Sequence, residues 1–185
     1  TLADGSTITG GNITVAGDVE ANADDLASTG GIMVDNGKKL TLTGGTIKDN
    51  ISIPTGGTGE LEIGGAVTNA NGKTIGANAL TIASPDGNLT TEVDKLNITG
   101  TDGIANNGTL TLTGDGVEPD TLDEKITGTG TTIFGDGTNP MTITANNEIH
   151  VGEHTITLQD VTIKLSDDIC ELKERTFYFD LTYLI

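Results

Sequence analysis

Short stretches in which apolar and polar residues alternate recur along the chain, and the clearest is NNGTLTLTGDG, from Asn106 to Gly116. In a strand, this alternation turns Leu110 and Leu112 to one face and the threonines to the other. The Asn-Gly before it and the Gly-Asp-Gly after it favour turns. DNGKKLTLTGG, from Asp35 to Gly45, repeats the design. The pattern predicts many short strands of one type, bounded by tight turns.

Weaker copies of this stretch occupy positions 59–65, 78–84, 94–100, 140–146 and 154–160. The spacing between successive leucine-centred strands, which begin at Leu40, Leu61, Leu80, Leu96 and Leu110, drifts from about 20 residues to about 15. Strands this short cannot each close a hydrophobic core. Stacking one turn of chain on another pairs their backbone groups and aligns their apolar side chains inside. The sequence therefore predicts an all-β fold, a parallel β-helix or β-solenoid.

The residues predicted to face inward are the apolar members of each alternation. They are Ile13, Val15, Leu40, Leu42, Leu61, Ile63, Leu80, Ile82, Leu96, Ile98, Leu110, Leu112, Ile133, Ile143, Ile156, Leu158, Val161 and Ile163. Threonine and asparagine are predicted to lie outside or to form ladders at the turns. The acidic stretch EANADDLASTGG, residues 20–31, is predicted to bulge from the repeat.

Composition and charge narrow the classes of partner. Of the 185 residues, 34% are hydrophobic and 3% aromatic, with no Trp, which suits a core of stacked Leu, Ile and Val better than that of a β-sandwich. Nine Lys and Arg against 27 Asp and Glu leave a net charge of −18, which repels nucleic acids and anionic lipid surfaces. No apolar run is long enough to span a bilayer. We therefore expect neither a nucleic-acid partner nor a membrane-spanning segment.

The composition changes after Leu165, which divides the chain into solenoid repeats over residues 1–165 and a terminal segment over 166–185. SDDICELKER predicts a short helical turn, and TFYFDLTYLI predicts an amphipathic strand. An end of a solenoid needs a cover, so the strand either caps its own solenoid or pairs with another chain. The predicted partner-binding residues share one face of this strand: Phe177, Phe179, Leu181, Tyr183 and Ile185.

Two motifs raise the question of a metal site. HVGEH, from His150 to His154, has the H-x-x-E-H pattern of zinc peptidases, but Gly152 and its β-branched neighbours favour a strand over the helix that this chemistry needs. The acidic stretch 115–124 and the Gly-Asp-Gly at 135–137 offer oxygen ligands for calcium without the spacing of an EF-hand. For these stretches a solvated loop is favoured, and the question whether they bind calcium stays open. No metal site and no cofactor is predicted.

Pairs of threonines one residue apart, such as Thr111 with Thr113 and Thr155 with Thr157, resemble those of ice-binding solenoids. Threonine is also common in any strand, because its branched side chain suits a pleated surface. A flat array would require regular coils, which the drifting spacing does not predict. Ice binding is therefore not expected from the sequence.

The Thr-Leu-Thr-Gly cadence with Asn-Gly turns, as in DNGKKLTLTGGTI and NNGTLTLTGDG, resembles the passenger repeats of bacterial autotransporter adhesins over roughly residues 5 to 165. This resemblance implies a right-handed parallel β-helix that is exported to the bacterial cell surface. It implies no particular ligand.

Three functions are weighed on these grounds. The first is a secreted structural or adhesive surface β-solenoid without catalytic activity, whose partners are copies of itself or a host or cell-surface ligand. The second is a subunit of an extracellular filament joined through terminal strands. The third is a glycan lyase or hydrolase, for which the single arginine, Arg175, and the scarcity of aromatic platforms for sugars are unfavourable. The first is preferred.

Overall fold

A computed structural model describes residues 8–117, 119–138, 140–146 and 155–165 of the chain. Within these ranges the fold is all-β, and short parallel strands stack as a β-solenoid of about seven turns. The helical segments described are two 3-10 turns, Ala23–Asp25 and Val93–Lys95. The predicted parallel β-solenoid is confirmed. The predicted terminal segment, 166–185, lies outside the described residues.

The strands of the described ranges are two to five residues long. In chain order they are β1 Ile8–Gly10, β2 Ile13–Val15, β3 Val19–Ala21, β4 Leu26–Ser28, β5 Ile32–Val34, β6 Lys39–Leu42, β7 Gly45–Ile47, β8 Ile51–Ser52, β9 Glu60–Ile63, β10 Ala66–Asn69, β11 Ile75–Ala77, β12 Ala79–Ile82, β13 Asn88–Glu92, β14 Leu96–Ile98, β15 Ile104–Asn106, β16 Thr109–Thr113, β17 Asp120–Leu122, β18 Ile126–Thr127, β19 Thr131–Phe134, β20 Met141–Ala145, β21 Thr155–Leu158 and β22 Val161–Leu165.

Three long parallel sheets run along the solenoid. Sheet 1 contains β7, β10, β13, β16, β19 and β21; sheet 2 contains β2, β5, β8, β11 and β14; sheet 3 contains β3, β6, β9, β12, β15 and β18. Neighbouring strands in each sheet come from consecutive turns of the chain. A smaller sheet of β17, β20 and β22 takes the place of sheet 2 in the last turns, and β1 pairs with β4. Sheets 1 and 3 are therefore continuous, whereas the third side is interrupted after β14.

The register between turns is regular. Residues paired across consecutive turns lie between 18 and 24 positions apart, as for Ile8 with Leu26 and Ile51 with Ile75. Loops between the sheets absorb this variation, so the strands stay aligned.

The predicted drift in repeat length is wrong. Leu40, Leu61 and Leu80 stack on one another in sheet 3, but Leu96 belongs to sheet 2 and Leu110 to sheet 1. The spacing from Leu80 to Leu96 and from Leu96 to Leu110 is the distance between strands of different sheets within the solenoid. It is therefore shorter than the length of one complete turn.

The core is a continuous stack of aliphatic side chains, as predicted for most inward positions. The predicted residues that are buried are Ile13, Val15, Leu40, Leu42, Leu61, Ile63, Leu80, Ile82, Leu96, Leu110, Leu112 and Ile143. Those that pack against the core but are only partly buried are Ile98, Ile156, Leu158 and Val161. The side chain of Ile163 lies outside the described part of the structure.

The prediction for Ile133 is wrong. In β19 the residues aligned with Leu110 and Leu112 are Thr132 and Phe134, and both are fully buried. A shift of one residue along a strand exchanges its two faces. Burying the large ring of Phe134 removes more apolar surface from water than burying Ile133 would. Ile133 therefore lies on the outer side of the sheet, aligned with Thr111.

Some polar side chains also enter the interior, whereas threonine and asparagine were predicted to lie outside or to form ladders at the turns. Asn106 is fully buried and its Nδ2 donates to Thr131 O at 2.9 Å and to Thr132 Oγ1 at 3.1 Å. Asn69 Nδ2 donates in the same way to Thr91 Oγ1 at 3.1 Å, in the turn above. These amide–hydroxyl pairs join consecutive turns and give the buried amide N–H groups partners.

The acidic stretch 20–31 does not bulge from the repeat. Asn22 caps the first 3-10 turn by accepting a hydrogen bond from Asp24 N at 2.9 Å. Ala23 and Leu26, which flank Asp24 and Asp25 in the sequence, are buried in the core. The carboxylates point outward, and Asp24 forms an ion pair with Lys48 at 2.7 Å. The stretch is therefore part of the wall of the solenoid.

A column of glycines forms the corner between sheet 3 and sheet 1. A Cβ atom on Gly108 would press on the carbonyl oxygen of Gly87 below it, and one on Gly130 would press on that of Gly108. Thr109 N donates to Gly87 O at 2.9 Å, and Thr131 N donates to Gly108 O at 2.8 Å. The turns approach so closely here that only glycine fits.

Candidate functional site

The predicted partner-binding residues, Phe177, Phe179, Leu181, Tyr183 and Ile185, lie outside the described residues. The same is true of the HVGEH motif from His150 to His154. Among the described residues, no group of three or more His, Cys, Asp or Glu is arranged to hold a metal ion. No helix in the described ranges has the length and apolar character needed to cross a bilayer.

The acidic stretch 115–124 is a solvated loop, as predicted, only in its first part, where residues 115–117 and 119 are exposed; from Asp120 onward it is built into the solenoid. Alternate residues from β17 onward, Asp120, Leu122, Glu124 and Ile126, are all buried. Asp115 lies at its exposed start, where Oδ1 accepts a hydrogen bond from the backbone of the turn. Two carboxylates are therefore buried, that of Asp120 in β17 and that of Glu124 in the connection between β17 and β18. Sequence reasoning missed this because it assigned inward positions to apolar residues alone.

Glu124 lies at the point where sheet 2 ends. Its side chain is 6% exposed, and Oε1 accepts a hydrogen bond from Ile98 N, in the last strand of sheet 2, at 3.3 Å. Burial raises the pKa of Glu124 above its usual value, against the lowering effect of this hydrogen bond, and the adjacent Asp123 raises the pKa further. The carboxylate thus satisfies a backbone donor at the sheet edge and belongs to the structure of the wall.

A second acidic motif, Gly-Asp-Gly at 135–137, is also explained by local structure. Asp136 Oδ1 accepts a hydrogen bond from Thr138 N at 2.8 Å. This contact is typical of a turn in which an aspartate closes the loop on its own backbone.

The outer side of sheet 2 has a shallow groove of about 210 Å³, where Gly76 contributes no side chain between Ser52 and Asn97. Lys95 and Asp94 line one edge and form an ion pair with each other. The hydrogen bond to Asp94 raises the pKa of Lys95, so this amine stays protonated at neutral pH and is unsuited to act as a base. The groove therefore offers a small contact surface with apolar residues such as Ile51 and Ile53 and an ion pair at one edge.

The outer side of sheet 1 is a regular hydroxyl-rich surface, which we call the threonine face. Two columns of outward positions run along it. The first contains Ala66, Asn88, Thr109, Thr131 and Thr155; the second contains Thr46, Thr68, Thr90, Thr111, Ile133 and Thr157. The drifting spacing of the sequence did not predict regular coils, but the strands of sheet 1 stay aligned in one register over six turns.

The threonine face carries no charge, although 19% of the chain is charged. The one charged residue in the six strands of sheet 1 is Glu92, which follows Thr90 by two positions on the same side of β13 and is aligned with Thr113 beyond the second column. It is 9% exposed and accepts a hydrogen bond from Gly72 N at 2.8 Å. Sheet 3 differs, since its outward column includes Glu20 and Glu62, and Glu62 pairs with Lys39 at 2.7 Å. The two continuous sides of the solenoid thus present different chemistry.

A scan against protein-family models finds no match, and searches of curated proteins and of solved structures find no significant match.

Proposed function

We propose that the chain is a structural and adhesive β-solenoid of a bacterial cell surface, without catalytic activity. The observation that carries this proposal is the uniform register of sheets 1 and 3, each of six strands. Every inner strand of these sheets bonds to the turn below and the turn above, over one continuous core. Such a stack makes a stiff rod whose outer columns repeat a single contact many times. That suits display and attachment.

The sequence supports the proposed location at the bacterial cell surface. The strand-and-turn cadence of NNGTLTLTGDG resembles autotransporter passengers, which are exported to the cell surface. A net charge of −18 disfavours non-specific binding of such rods to anionic lipid.

Electron micrographs of the native material test this proposal. We expect single short rods, alone or tethered to a cell envelope. Incubation with acidic and neutral polysaccharides provides a second measurement, and we expect no release of reducing or unsaturated sugar ends. Sugar release that persists in homogeneous protein would contradict a non-catalytic role and favour the glycan-active alternative.

A filament subunit is the second candidate, and the alternating aromatic face of TFYFDLTYLI favours it. On this alternative, deleting residues 176–185 yields folded monomers that no longer assemble, and the added peptide TFYFDLTYLI binds to them. If the segment only caps its own solenoid, the deletion lowers thermal stability and no specific assembly is lost. Rods tens of nanometres long made of repeated copies in the micrographs would support the filament.

A further inference from the structure

We infer that the threonine face binds ice. The proposal goes beyond attachment to a cell-surface partner and does not depend on it, because it rests on the geometry and chemistry of sheet 1 alone. The ligand is a lattice of ordered water that meets the two outward columns of the sheet.

The spacing of the hydroxyl groups supports this ligand. Neighbouring strands lie about 4.8 Å apart, so threonines in one column repeat at that distance. In ice, two water oxygens bonded to a common third are about 4.5 Å apart, given a hydrogen-bond length of about 2.75 Å and tetrahedral angles. The second column lies about 6.6 Å from the first along the strand, which makes the array two-dimensional. The aligned positions Thr68, Thr90 and Thr111 occupy three consecutive strands without interruption.

The chemistry of the side chains fits the same ligand. A threonine hydroxyl both donates and accepts hydrogen bonds, as a lattice water does. Its branched Cβ restricts χ1, so little side-chain freedom is lost on binding. The methyl groups contribute apolar contact between the hydroxyls. Ile133 replaces threonine in the second column, so one hydroxyl is missing there. Its side chain is also branched at Cβ, so the methyl groups of the surface continue through that strand.

Charge and area argue against other occupants. An uncharged face on a chain of net charge −18 is complementary to an uncharged, hydrogen-bonding surface. A second copy of the chain is disfavoured because the columns cover roughly 24 Å by 10 Å, far below the approximately 800 Å² per partner that a stable pair buries. Crystalline polysaccharide is disfavoured because neither column contains an aromatic residue on which a sugar ring could stack.

The experiment measures uptake of the fluorescently labelled 185-residue chain into slowly growing ice, together with inhibition of ice recrystallisation. We expect the wild-type chain to enter the ice and to slow recrystallisation. Thr90→Lys places a long, hydrated charge at the centre of the face and should lower uptake roughly tenfold. Thr111→Lys on the next strand should act in the same way, so the test remains decisive if one of the two variants misfolds.

The matched control is Thr81→Lys, at an equally half-buried outward position of sheet 3. This variant should enter ice as the wild type does, with unchanged circular dichroism. Exclusion of the wild type from ice overturns the proposal, as does equal uptake of the Thr90 and Thr81 variants. Two other ligands of this face are tested in the same way: crystalline cellulose or chitin in binding assays, and a second copy of the chain in sedimentation. The proposal is also overturned if the wild type binds one of these ligands and not ice, and Thr90→Lys abolishes that binding.

Discussion

Thr111 and Leu112 are neighbours in β16, yet their environments differ completely. Leu112 is fully buried between the turns, whereas Thr111 lies half-buried on the outer side. Leu112→Asp should destabilise the solenoid by about 4 kcal/mol or more, because a carboxylate would enter the apolar stack without a partner. Thr111→Asp should change the free energy of unfolding by about 0.5 kcal/mol or less. Thermal melts followed by circular dichroism compare the two, and equal losses would contradict the assigned faces.

Glu124 gives stability a dependence on pH. Its pKa is raised in the folded chain by burial, so the folded state holds this proton more tightly than the unfolded state. The contribution of Glu124 to stability is therefore most favourable below its usual pKa of 4.5 and declines as the pH rises through the raised folded value. Glu124→Gln keeps an acceptor for Ile98 N and removes this decline.

We expect the Glu124→Gln variant to gain stability relative to the wild type as the pH rises from 4 to 7 in denaturant titrations. Asp86→Asn, which removes an exposed carboxylate in the loop between β12 and β13, is the control and should change this dependence far less. If the difference in unfolding free energy between the wild type and Glu124→Gln stays constant from pH 4 to pH 7, the assigned titration of Glu124 is contradicted.

Single residues were predictable from the sequence where the hydrophobic effect acts alone. Alternation identified Leu40, Leu80 and Leu112 as core residues because an apolar side chain has one favourable side of a strand. It failed at Thr132 and Asn106, whose burial depends on hydrogen bonds between turns that are distant in sequence. Single-sequence patterns contain no information on such pairs.

Among the elements, the corner glycines make the clearest prediction. Gly108→Ala would place a Cβ atom against the carbonyl oxygen of Gly87 and should cost about 2 kcal/mol. Gly17→Ala is the matched control, because a Cβ atom there meets nothing within 4 Å. It should leave stability unchanged or slightly raised, since alanine restricts the unfolded chain. Chemical denaturation of the two variants measures the difference, and equal midpoints would contradict the close approach at the corner.

The elements themselves were predicted better than their assignment to sheets. Turn residues and alternation located strands such as β6, β9 and β16, because both signals are local. The threonine face was not predicted, since Thr68, Thr90 and Thr111 align only once the register between turns is known. Its signal was present as a recurrence at intervals of 21 to 22 residues, which the comparison of all leucine-centred strands concealed.

For the whole molecule, the regular register predicts that a complete turn can be added. Duplicating residues 66–87, which carry β10, β11 and β12, should lengthen the solenoid by one strand spacing, about 4.8 Å. The preceding glycine is preserved at both junctions, because Gly65 and Gly87 occupy equivalent corners. Small-angle X-ray scattering measures the maximum dimension, and thermal melts should give a midpoint close to that of the wild type.

The control inserts one alanine after Leu89, inside β13. This insertion exchanges the inner and outer sides of the rest of the strand and should lower stability sharply. A duplicated chain that is expanded or aggregated, with a melt no better than that of the single insertion, would contradict the equivalence of the turns.

Regular register between turns also has a consequence for inheritance. When recombination copies or removes a gene segment that encodes one turn, the residues on both sides of the join keep their inward or outward orientation. Most globular proteins lose their core to such an event, because each element packs against several distant ones. A gene of this kind can therefore change the reach of its product by unequal exchange between repeats, and lineages can vary in rod length while each face keeps its chemistry.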